Sequence, residues 1–279
     1  MQNENIEDIK KKLNIINRKV YEQKLIQCYQ SFADYSPILI KGWAIAKYYS
    51  NPFEREIGDI DLAVLPEKYK KSLEIKVSLN LSIVDLHRGL RHLDTVPWEN
   101  LFENSQIIKL DNVDIRVLRP EDHLRVICVH WLTDGGECLE KLRDVYWLIT
   151  NRPENFDWDR CLTIVSKRRR RWILCTIGLA HKYLGLDLSG TPIEEEAKDL
   201  PEWLTKRVEK EWNSGIRLIP LSSAKRNYKV FLRQVWKRLP PNPITATIDC
   251  EGDFDARTRI FYQIRDIFKR IKIRKMDNG

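Results

Sequence analysis

The feature that most constrains this chain is a change of hydrophobic period at Arg119-Pro120. Upstream, apolar residues gather in short runs at Pro37 to Ile40, Ile60 to Leu65 and Leu79 to Leu86. Two more, Gln106 to Leu110 and Val113 to Leu118, flank Asp111-Asn112. Runs of this length bounded by turn residues predict strands, and the short polar link predicts a hairpin. Helical spacing lies between them: residues 5–30, with Ile6, Ile9, Leu13, Ile16 and Val20 three and four apart, AIAKYYS after Gly42, and the lysine-rich 67–76. Asn51-Pro52 halts the second of these. Downstream of Pro120, where Glu121 and Asp122 suit the positive end of a helix, the spacing is almost entirely helical. It runs over about 120–133, 138–150, 157–170, 172–185, 194–212, 223–238 and 256–274. Gly135-Gly136 breaks it once, and Leu239 to Pro243 forms a stiff linker before the last stretch. The predicted fold class is α+β. A mixed β-sheet with helices occupies 1–119, N-terminal helix included, and a helical domain occupies 120–279.

A chain of 279 residues, 43% hydrophobic and 32% charged, has ample apolar surface for a core. No apolar run approaches the ~20 residues of a membrane helix. The start, MQNENIEDIKKK, has no apolar stretch like that of a secretory signal. The expected location is therefore cytoplasmic. Cys28, Cys128, Cys138, Cys161, Cys175 and Cys250 form no C-x-x-C pair, which argues against structural zinc and for reduced, buried thiols. The net charge of +8 favours an anionic partner.

Asp59 and Asp61 stand two apart in GDIDLAVL. On a strand both carboxylates point to one face, while Ile60 and Leu62 point to the other. Like charges on one face need compensation, and a divalent cation supplies it. Two further D-x-D pairs, Asp157/Asp159 and Asp253/Asp255, serve as internal controls. Each lies in a polar segment at an expected helix start, where aspartates cap free N–H groups. Upstream, Lys41-Gly42-Trp43 reads as strand, glycine, helix start, a place where backbone N–H groups meet phosphate. Lys41, Lys47 and Arg55 add positive charge. Asp85 and His87 share a face of the next apolar run.

The order of Lys41-Gly42, a short helix, Arg55, Asp59-Ile60-Asp61 and Val84-Asp85-Leu86-His87 resembles the polymerase-β-like nucleotidyltransferase superfamily. More narrowly, it resembles a bacterial uncharacterised nucleotidyltransferase family, and the likeness continues through Arg119 to Leu124, His130 and Leu142 to Val145. It covers about residues 37 to 150. The resemblance implies a metal-dependent transfer of a nucleoside monophosphate from an NTP, ATP foremost, to a hydroxyl, with release of pyrophosphate. Asp59, Asp61 and Asp85 would be catalytic and would hold Mg²⁺ (or Mn²⁺). Lys41, Gly42, Trp43 and Arg55 would meet the nucleotide phosphates, with His87 and Asp144 behind them. The acceptor would be a small molecule or peptide, or else RNA. Trp43 departs from the superfamily pattern, which has serine or a second glycine there.

Other groups read as structural. His123 and His130 are expected to be packing residues. The run Lys167 to Arg171 spreads around a helix and is expected to be a solvated face. The last helix places Ile260, Ile264, Ile267, Phe268 and Ile271 together, with Arg265, Lys269, Arg270 and Lys272 elsewhere, which predicts core packing with a wet basic face. Two other functions fit the sequence: an inactive nucleotide- or RNA-binding protein on the same fold, and a basic RNA-binding module.

Overall fold

A strand is stable here only if its apolar face is covered, and two buried clusters, one on each face of a single sheet, do this. The computed structural model describes residues 2–90, 96–216 and 218–277, and only the backbone of 2–8, 10, 11 and 272–277. Ile6 and Lys272 therefore lie outside the described side chains. The chain forms α1 (Gln2–Ser31), β1 (Ile38–Leu39), α2 (Trp43–Ala46), β2 (Ile60–Val64), α3 (Tyr69–Ser78), β3 (Val84–Arg88), α4 (Trp98–Glu103), β4 (Gln106–Leu110) and β5 (Val113–Val117). Helices follow: α5 (Pro120–Thr133), α6 (Leu139–Thr150), α7 (Trp158–Thr163), α8 (Lys167–Leu184), α9 (Glu194–Lys198), α10 (Glu202–Ser214), α11 (Leu221–Ala224), α12 (Tyr228–Arg238), α13 (Pro243–Asp249) and α14 (Ile260–Asp277). The fold is α+β, as the change of period predicts.

The sheet order is β3-β2-β1-β5-β4. β2 pairs parallel with β3 and antiparallel with β1, β1 pairs parallel with β5, and β4 and β5 form the expected hairpin. One face buries Ile60, Leu62, Val64, Val84 and Leu86 against Leu25 and Cys28 of α1 and Phe32 just after it. The other buries Ile38, Ile40 and Ala63 with Leu101 and Val126. Burying each of Ile60 and Leu62 contributes about 1.5–3 kcal/mol. That anchors β2 firmly enough to carry a carboxylate in its midst. The third strand is shorter than the apolar run suggests. α3 extends to Ser78, and Asn80 at φ 51° turns the chain, so pairing starts at Val84.

Contacts divide the chain into two compact units: residues 1–127 with 147–164, and 128–146 with 165–279. The return of 147–164 to the first unit has clear causes. Trp147 packs against Tyr49 with centroids 5.8 Å apart, and Asn151 donates to the Tyr48 carbonyl at 2.7 Å. Asp122 lies fully buried between Arg125 and Arg160, and Glu121 accepts from the Asp157 amide at 2.8 Å. Removing one member of such a buried group costs about 3–5 kcal/mol.

The second unit is built on α8. Trp172 and Trp203 both pack on Phe254, at 6.3 and 5.3 Å, and donate to the Gly252 and Phe254 carbonyls. The expected break near residue 171 falls earlier, because the Ser166 hydroxyl accepts from the Arg169 amide and caps α8. The long stretches expected at 194–212 and 223–238 are each divided, by Pro201 and by Asn227, which caps α12. Five of the six cysteines are buried, Cys138 is half-buried, and all are free thiols.

The last helix reverses its expectation. Among the described side chains of α14, Asp266 is the buried one, while Ile260, Phe261, Ile264, Phe268 and Ile271 are exposed. Neighbouring polar groups explain the choice of face: Gln263 donates to the Pro241 carbonyl at 2.6 Å, and Lys269 to the Asp249 carbonyl at 2.8 Å. Ile9, Leu13, Ile16 and Val20 of α1 are exposed as well, and that helix packs through Leu25, Cys28 and Tyr29, with Phe32 just after its end.

Candidate active site

β2 starts at Ile60, so Asp59 sits just before it and Asp61 is its second residue. Alternation sends Ile60 and Leu62 into the α1-side core and Asp61 to the opposite face. The parallel register sets Asp61 beside Asp85. Val84 and Leu86 enter the same core as Ile60, so Asp85 and His87 share the face of Asp61. One possible ligand atom from each of Asp61, Asp85 and His87 lies within 4.8 Å of the others.

Asp61 Oδ1 accepts from Lys41 Nζ at 2.6 Å and lies 3.0 Å from His87 Nε2. The same His87 nitrogen is 3.3 Å from Asp85 Oδ2. Burial pushes the Asp61 carboxyl up, but the His87 hydrogen bond and the Lys41 charge outweigh it and hold it down at about 2. Asp61 is thus a secured anion. The Asp85 side chain is 58% exposed and the Asp61 side chain 12%, so the cluster runs from a buried base to a solvent-facing rim.

Asp59 is exposed and stands outside that three-residue group. Its backbone is fixed: its carbonyl accepts from the Tyr21 hydroxyl at 3.0 Å. Gly42 closes on the same spot. It adopts φ 57°, and a Cβ there would stand 3.3 Å from Ile57 Cγ2, 3.5 Å from the Asp59 carbonyl oxygen and 3.6 Å from Tyr21 Oη. The positive φ is what favours glycine here, while the space around a Cβ is only slightly tight, against the Ile57 methyl. The first turn of α2 then forms, with Ala44, Ile45 and Ala46 amides donating to Lys41 and Gly42 carbonyls. The Trp43 indole turns toward α1, donating to Glu22 Oε1 at 2.9 Å and packing on the core. Arg55 follows the short 3₁₀ turn Pro52–Glu54 and donates to the Glu56 carbonyl at 2.5 Å; its charge acts on Tyr21.

Two nearby groups behave differently from these. Lys47 lies against Gln106 and the Tyr48 ring, and burial lowers its ammonium to about 8. His123 is fully buried; burial and the Lys47 charge push it down to about 3, which fits a packing residue. Asp144 is buried in the second unit, where half-buried His130 lies 3.6 Å from Asp134. Tyr21 is the contributor that spacing alone leaves unmarked. Its only sequence signal is a polar-tipped aromatic on the packed side of α1.

The control pairs separate from the first. Asp157 caps α7 by accepting from the Arg160 amide at 2.8 Å. Asp253 and Asp255 do not open α14, which starts at Ile260. Asp253 accepts from the Asp255 amide, and Asp255 binds Arg171 at 3.0 Å. Three of the five residues of the basic run are engaged, while Lys167 and Arg168 are exposed. Arg169 pairs with Glu251 at 3.1 Å, Arg170 with both oxygens of Glu196, and Arg171 with Asp199 at 3.2 Å as well as Asp255.

Among the described residues, no helix is long and apolar enough to cross a membrane. No curated protein and no solved structure matches the sequence. The model of one family, described as uncharacterised nucleotidyltransferase, matches residues 11–185, the span that carries the sheet, the carboxylates and α8. The chain belongs to that uncharacterised nucleotidyltransferase family.

Proposed function

We propose that the chain transfers a nucleoside monophosphate from an NTP, ATP foremost, to an acceptor hydroxyl at the Asp59–Asp61–Asp85 centre. The observation that carries this reading is the meeting of Asp61, Asp85 and His87 within 4.8 Å on adjoining strands, beside the Gly42 turn. Two carboxylates and an imidazole at a half-open rim suit a hard divalent cation. Asp61 and Asp85, with Asp59 at the strand mouth, would hold Mg²⁺ or Mn²⁺. Such an ion offsets triphosphate charge and polarises the α-phosphate.

The residues divide the remaining work. The N–H groups of Gly42 and Trp43 meet phosphate oxygens, since the Trp43 indole is turned to Glu22. Lys41 exchanges Asp61 for the triphosphate when nucleotide enters, and Arg55 adds charge at the same mouth. His87 keeps Asp61 and Asp85 oriented. Asp85, the exposed carboxylate, takes the proton of the acceptor hydroxyl. The hydroxyl oxygen bonds to the α-phosphorus, the bond from that phosphorus to the α,β-bridging oxygen breaks, and pyrophosphate leaves with its electrons.

We also place the acceptor side on helical residues beyond 120 and the protein in the cytoplasm. The acceptor is a small molecule or peptide rather than RNA, because Arg169, Arg170 and Arg171 are each engaged by acidic partners. Incubation with each α-labelled NTP, Mg²⁺ or Mn²⁺ and cell extract tests the reading. Label should pass to one small-molecule or peptide pool. Absence of label from every NTP and with either metal would contradict transfer.

A further inference from the structure

The exposed face of α14 is the largest feature that nucleotidyl transfer leaves unused. Ile260, Phe261, Ile264, Phe268 and Ile271 are between 45% and 70% exposed. Four of them recur at spacings of four, four and three, and Phe261 stands beside them, so they form one continuous stripe. Scattered apolar residues need no explanation, but a helix that turns this many outward does. The opposite side of α14 is held by polar contacts. Asp266 is buried with Arg270 at 2.7 Å, Gln263 binds the Pro241 carbonyl, and the Tyr262 hydroxyl accepts from the Asp253 amide at 3.0 Å. The helix is therefore fixed by its back, with its apolar side outward.

Charge says what covers that side. Arg265 is exposed on one flank of the stripe beside Lys269, whose ammonium also donates to the Asp249 carbonyl, and Lys272, Arg274 and Lys275 continue the basic sequence. A second copy of the chain would bring the same basic flank, and Asp266, the one acidic residue of 260–271, is buried and cannot offset it. Single-stranded RNA would welcome the cations, but three of the five apolar residues are isoleucines, which offer no ring for a base to stack on. A bilayer with anionic headgroups satisfies both features. The Ile and Phe side chains enter the acyl boundary, and the Arg and Lys heads stay at headgroup level. We infer that α14 is an interfacial helix that seats this protein on an anionic lipid surface, lying on the bilayer without crossing it.

Sedimentation of the full chain with vesicles tests this without reference to catalysis. Vesicles of phosphatidylcholine alone are compared with vesicles holding about 30% phosphatidylglycerol. The chain should bind the anionic vesicles at least about tenfold more tightly than the neutral ones, and salt should weaken the binding. F261S/F268S changes only exposed side chains, and it should lose about tenfold or more of the anionic binding while keeping the wild-type Tm. Failure of the wild-type chain to bind anionic vesicles would overturn the inference. So would equal binding by F261S/F268S, which would mean adsorption by net charge alone. A wild-type dimer in light scattering that F261S/F268S converts to monomer, without vesicle binding, would make the stripe a self-interface and would also overturn it.

Discussion

Two clusters of charge in this chain end in opposite ways. At the start of α8, three arginines meet four carboxylates, Glu196, Asp199, Glu251 and Asp255, and every guanidinium is engaged. At the mouth of β2 and β3, Asp61 and Asp85 gather around one lysine and one histidine with Asp59 just outside, and Asp85 remains largely exposed. In the first cluster Arg169, Arg170 and Arg171 are each tied to a carboxylate, which joins α8 to α9 and to the loop that carries Glu251 and Asp255. The second holds surplus negative charge at an open rim, in strands anchored by buried isoleucine and leucine. The number of charges in a segment therefore says little about binding. What matters is whether the fold has already spent them on each other.

The sharpest way to break this contrast is to remove one carboxylate from each cluster. Asp61→Asn should lower transfer by about a thousandfold or more, whereas Asp255→Asn should leave it within about twofold. Equal loss in both would erase the distinction. Asp61→Asn should also lower Tm, because Lys41 loses its partner. The like-charge repulsion that the sequence alone suggests is already offset by Lys41 and His87. The sign with pH follows. The folded carboxyl sits near 2, below its ordinary 3.8, so its stabilisation is present above 3.8 and is lost as pH falls through 2. That amounts to about 2 kcal/mol, which a urea titration of Asp61→Asn against wild type between pH 2 and 5 should find missing.

A smaller effect is expected at the glycine turns. Gly42→Ala meets positive φ and a slightly tight site, so about 1–2 kcal/mol of stability and about tenfold in NTP affinity should go. Gly190 has φ 72° with nothing near its absent Cβ. Gly190→Ala should show a similar stability loss in thermal melts and no change in NTP affinity. If both variants bind NTP like wild type, the Gly42 turn is not a phosphate site.

The smallest effect belongs to the basic run. Neutralising Arg168, Arg169 and Arg170 to glutamine should cost about 1 kcal/mol through the lost pairs to Glu251 and Glu196. NTP affinity, acceptor labelling and salt dependence should stay within about twofold. A steep fall in RNA labelling would show that these residues serve a polyanion.

Much of the site was legible because β2 and β3 obey a period of two. GDIDLAVL and IVDLH declare which residues share a face, and parallel pairing then sets Asp61 beside Asp85. The hairpin at Asp111 and the helix start at Pro120 were equally local. What stayed hidden depended on partners distant in sequence. Nothing in Lys41 says that it pairs with Asp61, nor in Tyr21 that it holds the Asp59 carbonyl. Helical period reveals an apolar stripe but not whether anything covers it. The stripe of α14 was therefore read as core and proved exposed, while Asp266 went inside. The acidic partners of Arg169 to Arg171 lie 25 or more residues away, so the run looked free.

The most direct test of the carboxylate centre is thermal stability with Mg²⁺ and ATP, each alone and both together, in wild type and in Asp61→Asn. In wild type the joint shift should exceed the sum of the separate shifts, reaching about 2.7 kcal/mol at a hundredfold excess over Kd, because anionic carboxylates accept an anionic triphosphate only with the cation between them. In Asp61→Asn the excess should vanish. Merely additive shifts in wild type, or an undiminished excess in Asp61→Asn, would contradict the assignment of these aspartates as the metal-nucleotide site.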